Sequence, residues 1–163
     1  MVLMGYKITL NASDMIKASH AALSCAFLTY PEARVKPRDP EKILEGWMAQ
    51  QAVGKYHYMD PTYDVRQWIH TGRGDTEDGY EIRCNALRTL WISAADKPDQ
   101  KYWLIMPIKD NAFWLLGSIH REDVHHLEVE SERTPGRYFI KYEELIPFIR
   151  DVHQPLNYGR KMA

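Results

Sequence analysis

Cysteine is scarce in this chain: Cys25 and Cys84 are the whole complement. Two thiols so placed have no metal-ligand spacing and make no disulfide framework, so a reducing, intracellular compartment is expected, with a cytoplasmic location. Apolar residues never run long enough to cross a bilayer, and no signal peptide precedes the first strand, so no membrane partner is expected. Excess charge is missing as well, with 21 Lys and Arg against 22 Asp and Glu and a net charge of -1. A protein that grips nucleic acid by charge alone is usually basic, so this balance argues against strong non-specific binding. Nor does the chain carry a serine or cysteine nucleophile motif, a phosphate-cradling glycine loop or a dinucleotide fingerprint. Internal repeats and low-complexity tracts are lacking too, which excludes solenoids and arrays.

What the chain does have is the composition of a folded protein, 45% hydrophobic and 12% aromatic over 163 residues. That length predicts one domain, residues 1–163, with its core at about 39–152. Tyr6 to Leu10 alternates and predicts a strand, and Asn11 or Ser13 can cap the helix that follows. Helical spacing puts Cys25 on a buried face, as a small hydrophobe rather than a nucleophile. A second helix starts at Asp39-Pro40-Glu41, and Ile43, Leu44, Trp47 and Met48 form its apolar stripe. Gln50 and Gln51 interrupt that stripe and read as a polar helix surface.

Residues 63–70 and 80–85 predict an antiparallel hairpin with an acidic connection. Leu90 to Ser93 predicts a strand ending in the turn Asp96-Lys97-Pro98-Asp99. Tyr102 to Ile108, nearly all apolar, predicts a strand buried on both faces, turning at Lys109-Asp110-Asn111 into Phe113 to Ile119. His120 to Arg133 reads as a short helix or an irregular lid, Arg137 to Ile140 as an edge strand. Tyr142 to Val152 reads as a terminal helix interrupted near Pro147, followed by a loose tail. The layout is α/β or α+β, with a central mixed, antiparallel-rich sheet flanked by helices.

The most informative stretch is Gly74-Asp75-Thr76-Glu77-Asp78-Gly79-Tyr80-Glu81-Ile82-Arg83. A Gly- and Asp-rich turn feeds an alternating strand, so Glu81, Arg83 and Asn85 share one face and Tyr80, Ile82 and Cys84 the other. Asp75 and Glu81 thereby approach a fixed cation, an arrangement suited to divalent-metal chemistry on a phosphodiester.

With the flanking Tyr102-Trp103-Leu104-Ile105 and Phe113-Trp114-Leu115-Leu116-Gly117-Ser118-Ile119, this stretch resembles the PD-(D/E)XK, or restriction-endonuclease-like, nuclease superfamily, and within it small phage-encoded proteins. The resemblance covers about Gly46 to Asp123. It implies a restriction-endonuclease-like core and Mg²⁺- or Mn²⁺-dependent hydrolysis of nucleic acid, DNA in the first place. Asp75 takes the place of the motif aspartate and Glu81 that of the second carboxylate, both as metal ligands. Arg83 stands where an active enzyme usually has lysine, and Gln50 where relatives have a supporting helix glutamate. Asp64 and Asp78 are the alternatives to Asp75.

Arginine is permanently charged, so Arg83 can stabilise phosphate charge but cannot act as a general base. Gln50 removes one negative charge beside the metal, and both departures lower the expected activity. The alternative is a catalytically silent relative that serves as a binding module for a host protein or a nucleic-acid complex; a homodimer stays open. The bland reading of the same residues is a solvated turn and an exposed strand face. Two weaker groupings remain. His120, His125 and His126 lie near Glu122, Asp123 and Glu128, and read as a solvated polar loop before a metal site. Arg83, Arg88, Lys97, Lys101 and Lys109 with Trp91 and Trp103 outline a minor candidate for a nucleic-acid groove.

Overall fold

A computed structural model describes residues 5–29, 40–57, 75, 76 and 78–150. In chain order these form β1 (Tyr6–Thr9), α1 (Ala12–Thr29), α2 (Pro40–His57), β2 (Tyr80–Cys84) and β3 (Thr89–Ser93). Next come β4 (Lys101–Lys109), β5 (Ala112–His120), a one-turn α3 (Arg121–Val124) and β6 (Val129–Glu130). The described chain ends in β7 (Arg137–Lys141), α4 (Tyr142–Leu145) and a 3-10 turn, Ile146–Phe148. The fold is α+β. Among the described residues it has a four-stranded mixed sheet in the order β1-β5-β4-β2 and a three-stranded antiparallel sheet in the order β3-β7-β6.

Alternation along β4 and β5 assigns side chains to two cores, one on each face of the larger sheet. Trp103, Ile105, Phe113 and Leu115 point to one face, where they meet Ala18 and Ala21 of α1 and Trp47, Ala49, Ala52 and Val53 of α2. Tyr102, Leu104, Leu116 and Ile119 point to the other, where they meet Leu90 and Ile92 of β3 and Ile140 of β7. The two long helices therefore cover one face of the central sheet, and the second sheet, with Val124 of α3 and Tyr142 and Leu145 of α4, covers the other. At the start of α1 the Asn11 N–H donates to Asp14 Oδ2 and the Asp14 N–H to Asn11 Oδ1, both at 2.9 Å. This reciprocal cap satisfies two donors that a helix start leaves unpaired, and it selects Asn11 as the cap.

β2 runs parallel to β4, Glu81 opposite Tyr102 and Arg83 opposite Leu104, and the hairpin partner expected at 63–70 lies outside the described residues. Two other expectations are corrected. β7 is the centre of its sheet, paired on both sides, and not an edge. The expected terminal helix stops after Leu145, because Pro147 forces a 3-10 turn, and Arg150 then bridges back to Ser118. The expected strand at 63–70, Asp39 as a helix cap, the Cys25 side chain and the tail from Gln154 lie outside the described residues. No described helix is long and apolar enough to cross a membrane.

Candidate active site

The edge of β2 away from β4 is where the sequence-picked residues gather. Pairing with Tyr102 and Leu104 turns Glu81 and Arg83 toward the second sheet. Tyr80, Ile82 and Cys84 pack instead on the helix-side core. Asp75 sits just outside this edge: its Oδ2 accepts the Ile82 N–H at 2.8 Å, and its Oδ1 accepts from Gln50 Nε2 at 3.1 Å. The Glu81 carboxyl lies close enough to Asp75 for the two acids to influence each other's charge. The neighbouring loop is held by Thr76, whose Oγ1 accepts the Tyr80 N–H at 3.0 Å and also bonds Asp78. Gly79 closes this turn at φ 85°, a conformation that favours glycine.

Gln50 and Gln51 are not the polar surface their sequence suggested; they are 8% and 6% exposed. Gln50 reaches the loop acid. Gln51 Nε2 donates to Asp14 Oδ1 at 3.2 Å, and Lys55 Nζ meets Asp14 Oδ2 at 3.1 Å, so this second contact fastens α2 to α1. Gln50 Oε1 is buried and finds no hydrogen-bond donor among the described residues. Reversing that amide would set its oxygen against Asp75 Oδ1, so the orientation follows from the contact.

The cation is held more tightly than the sequence reveals. Arg83 Nη2 contacts Asp96 Oδ2 at 3.0 Å, Nη1 contacts Glu81 Oε2 at 3.4 Å, and Nε donates to the Trp91 carbonyl at 3.3 Å. Its guanidinium lies 5.3 Å from the centre of the Tyr102 ring. Asp96 Oδ2 in turn accepts from the Tyr102 hydroxyl at 2.9 Å and the Ser93 N–H at 3.2 Å. These contacts follow from strand register. The Ala94 N–H bonds Gly136 and the Tyr142 N–H bonds Arg88, so even-numbered β3 residues face β7 and the odd ones face away. Arg83 and Asp96 therefore satisfy the outward main chain of Trp91 and Ser93, and they sew β2 to β3.

Burial, the Asp75 charge and the hydrogen bond to it push the Glu81 carboxyl up to about 7, against an opposing pull from Arg83. Two neighbouring carboxyls resist double ionisation, which is the sense in which Asp75 acts on Glu81. Burial lowers the affinity of Arg83 for its proton, but Asp96 and Glu81 outweigh it, and the guanidinium is held more firmly charged than usual.

Divalent Mg²⁺ or Mn²⁺ prefers hard oxygen ligands, and Mg²⁺ is commonly held by one or two carboxylates together with water and substrate phosphate. Asp75 and Glu81 supply two neighbouring carboxylates, and Gln50, whose Nε2 meets Asp75, carries a buried amide oxygen with no hydrogen-bond partner among the described residues. The donor set fits such an ion. No group of three or more His, Cys, Asp or Glu suited to a metal occurs among the described residues, so a cation here would rest on this pair and the amide.

Asp78 is exposed and engaged by the Thr76 hydroxyl, and Asp64 lies outside the described residues. Asp96 and Tyr102 were missed as part of the cluster, because Asp96 reads as an ordinary turn acid and Tyr102 as core. The histidines do not gather. His125 Nδ1 contacts Glu128 at 3.1 Å, His126 packs on Phe148 and His120 on Tyr80. Within the same segment Arg121 and Glu128 form a buried pair at 2.7 Å, and Arg121 Nη1 donates to the Asp96 carbonyl at 2.6 Å. Trp103, 2% exposed, belongs to the helix-side core and lines no groove. No family model, curated protein or solved structure matches this chain.

Proposed function

We propose that the chain is a metal-dependent phosphodiester hydrolase acting on nucleic acid, with a PD-(D/E)XK-type site in the cytoplasm. The supporting observation is the convergence on β2 of Asp75, held on the Ile82 N–H, with Glu81 and the Arg83 guanidinium it contacts, Gln50 Nε2 meeting Asp75 from α2. In this reading a bound Mg²⁺ or Mn²⁺ supplies charge neutralisation at the phosphate and a more acidic water. Asp75 and Glu81, both ionised, would hold that ion. Gln50 fixes the Asp75 carboxylate through Oδ1, while the Ile82 N–H fixes Oδ2. Arg83 keeps N–H groups to spare after its three contacts, because a guanidinium carries five donors. These meet a phosphate oxygen and stabilise charge as it develops.

A second reading rests on the same guanidinium. Its contacts to Asp96 and Trp91 hold it as a structural tie, which suits a silent relative serving as a binding module. Incubation of labelled DNA and RNA with Mn²⁺, beside Glu81→Ala and a chelator control, separates the two. Cleavage by the native chain that falls at least about a hundredfold in the variant is expected, since loss of one ligand typically removes most metal-assisted rate. Equal products with and without Mn²⁺, or equal products from the variant, would reject the hydrolase.

A further inference from the structure

The register of the smaller sheet sorts its side chains cleanly. Leu90, Ile92 and Ile140 are buried against the central sheet, so Trp91, Phe139, Arg137 and Lys141 lie on the opposite, outer face. There Trp91 pairs with Phe139, ring centres 5.5 Å apart, and Val129 of β6 extends the row beyond Phe139 and is 51% exposed. The Arg137 guanidinium stands 5.4 Å from the Trp91 ring centre. The flanking rows hold Thr89 opposite Lys141 and Ser93 opposite Arg137, so no paired position on this face carries an acid. Glu130 is paired with Tyr138 on the other face, and its carboxylate accepts the Gly136 N–H at 3.1 Å. In a chain whose net charge is -1, a sheet face with cations at both flanks of an aromatic row is a local concentration of one sign.

We infer that this outer face is a stacking platform for unpaired nucleotides, with single-stranded nucleic acid as its ligand. Bases stack on aromatic rings and on guanidinium planes without regard to sequence, while nearby cations track the phosphates. A paired duplex keeps its base faces inside its own stack and offers nothing to such a row. The platform also adjoins the acidic cluster, because the main-chain carbonyl of Trp91 itself accepts from Arg83. A strand laid across Trp91 and Phe139 is thereby led toward Asp75 and Glu81. The inference deepens the hydrolase reading by naming unpaired strands or frayed ends as the substrate class. It rests on that reading for the fate of the strand, not for its capture.

The test is fluorescence anisotropy on the full chain in chelator, using labelled oligothymidylate, oligouridylate and a duplex of equal length. Tighter binding of the single strands than of the duplex is expected. Trp91→Leu should weaken single-strand binding roughly ten- to a hundredfold. Arg137→Ala changes an exposed side chain and keeps the test valid if Trp91→Leu folds poorly; it should weaken binding and lower the salt slope by about 0.7. Binding of one sugar type alone identifies that strand as the ligand. Equal or tighter duplex binding overturns the platform, as does unchanged affinity in Arg137→Ala. Binding of neither form overturns it too and leaves the face to a protein partner. Mn²⁺-dependent cleavage is read separately. Strand binding without cleavage removes the hydrolase and keeps the platform, whereas duplex cleavage indifferent to both substitutions does the reverse.

Discussion

Glu81 shows how far a single side chain could be read from the sequence. Its partnership with Arg83 was legible because alternate strand residues must share a face, whatever the rest of the chain does. Its approach to Asp75 was not legible, since the path of a loop is not written in a periodic pattern. Gln50 and Gln51 were misread: amides on a helix look like surface until a buried acid across the fold requires a donor, and both acids come from distant segments. Asp96 failed for the same reason, its one oxygen taking three donors that no local pattern brings together.

The Glu81 environment carries a pH prediction. A carboxyl raised from 4.5 to about 7 holds its proton more tightly folded than unfolded. Unfolding then releases a proton between those values, so stability falls as pH rises through the window and is level on either side. The loss should be on the order of 2 kcal/mol. Urea melts from pH 4 to 8 should show that decline in the native chain and a flattened profile in Glu81→Gln, which keeps the shape but cannot ionise. A native profile rising with pH would mean that the pair is not protonated.

Among the elements, those that were legible are the ones whose pattern is local. The β4–β5 hairpin and both long helices are announced by apolar spacing and turn residues. Pairing between distant strands is not. β2 and β4 lie parallel with β3 between them in sequence but in another sheet, and a strand alone does not declare its neighbour. β7 looked like an edge because it is short, yet two partners flank it. The tie between α1 and α2 also belongs here. Asp14 completes the cap that Asn11 makes on α1, takes the Lys55 ammonium and accepts from Gln51. Burial raises its proton affinity, but the Asn11 main-chain amide, Gln51 and Lys55 outweigh this and hold the carboxyl below its usual range. Asp14→Ala should destabilise the fold by about 2 kcal/mol, since a lost cap and an orphaned buried amide add. Thermal melts of the variant beside Ser13→Ala check it; an equal, small shift in both would deny the tie.

At the scale of the whole molecule, the central sheet has a packed core on each side, and β4 and β5 are its inner strands. Leu104, Ile105 and Leu116 have no exposure at all, so their amides should open only with global unfolding. Native-state hydrogen exchange should rank β4 and β5 slowest, with β1 and β6 at sheet edges faster by at least about tenfold. Uniform protection across all strands would contradict the two-core layout. The class of fold was readable from composition and order, whereas the stacking of a second sheet on the first was not, because nothing local distinguishes a strand that joins one sheet from a strand that joins another.

Position 83 closes a seam and, in the proposed reading, also faces the site. A planar fork with five hydrogens can serve a carbonyl, two acids and an incoming oxyanion together. An ammonium on a flexible stem offers three and has no fixed fork to spread over such neighbours. A lysine installed at this position therefore gains a titratable group and unpicks the stitch between the sheets, so such a chain would have to fasten β3 by other means.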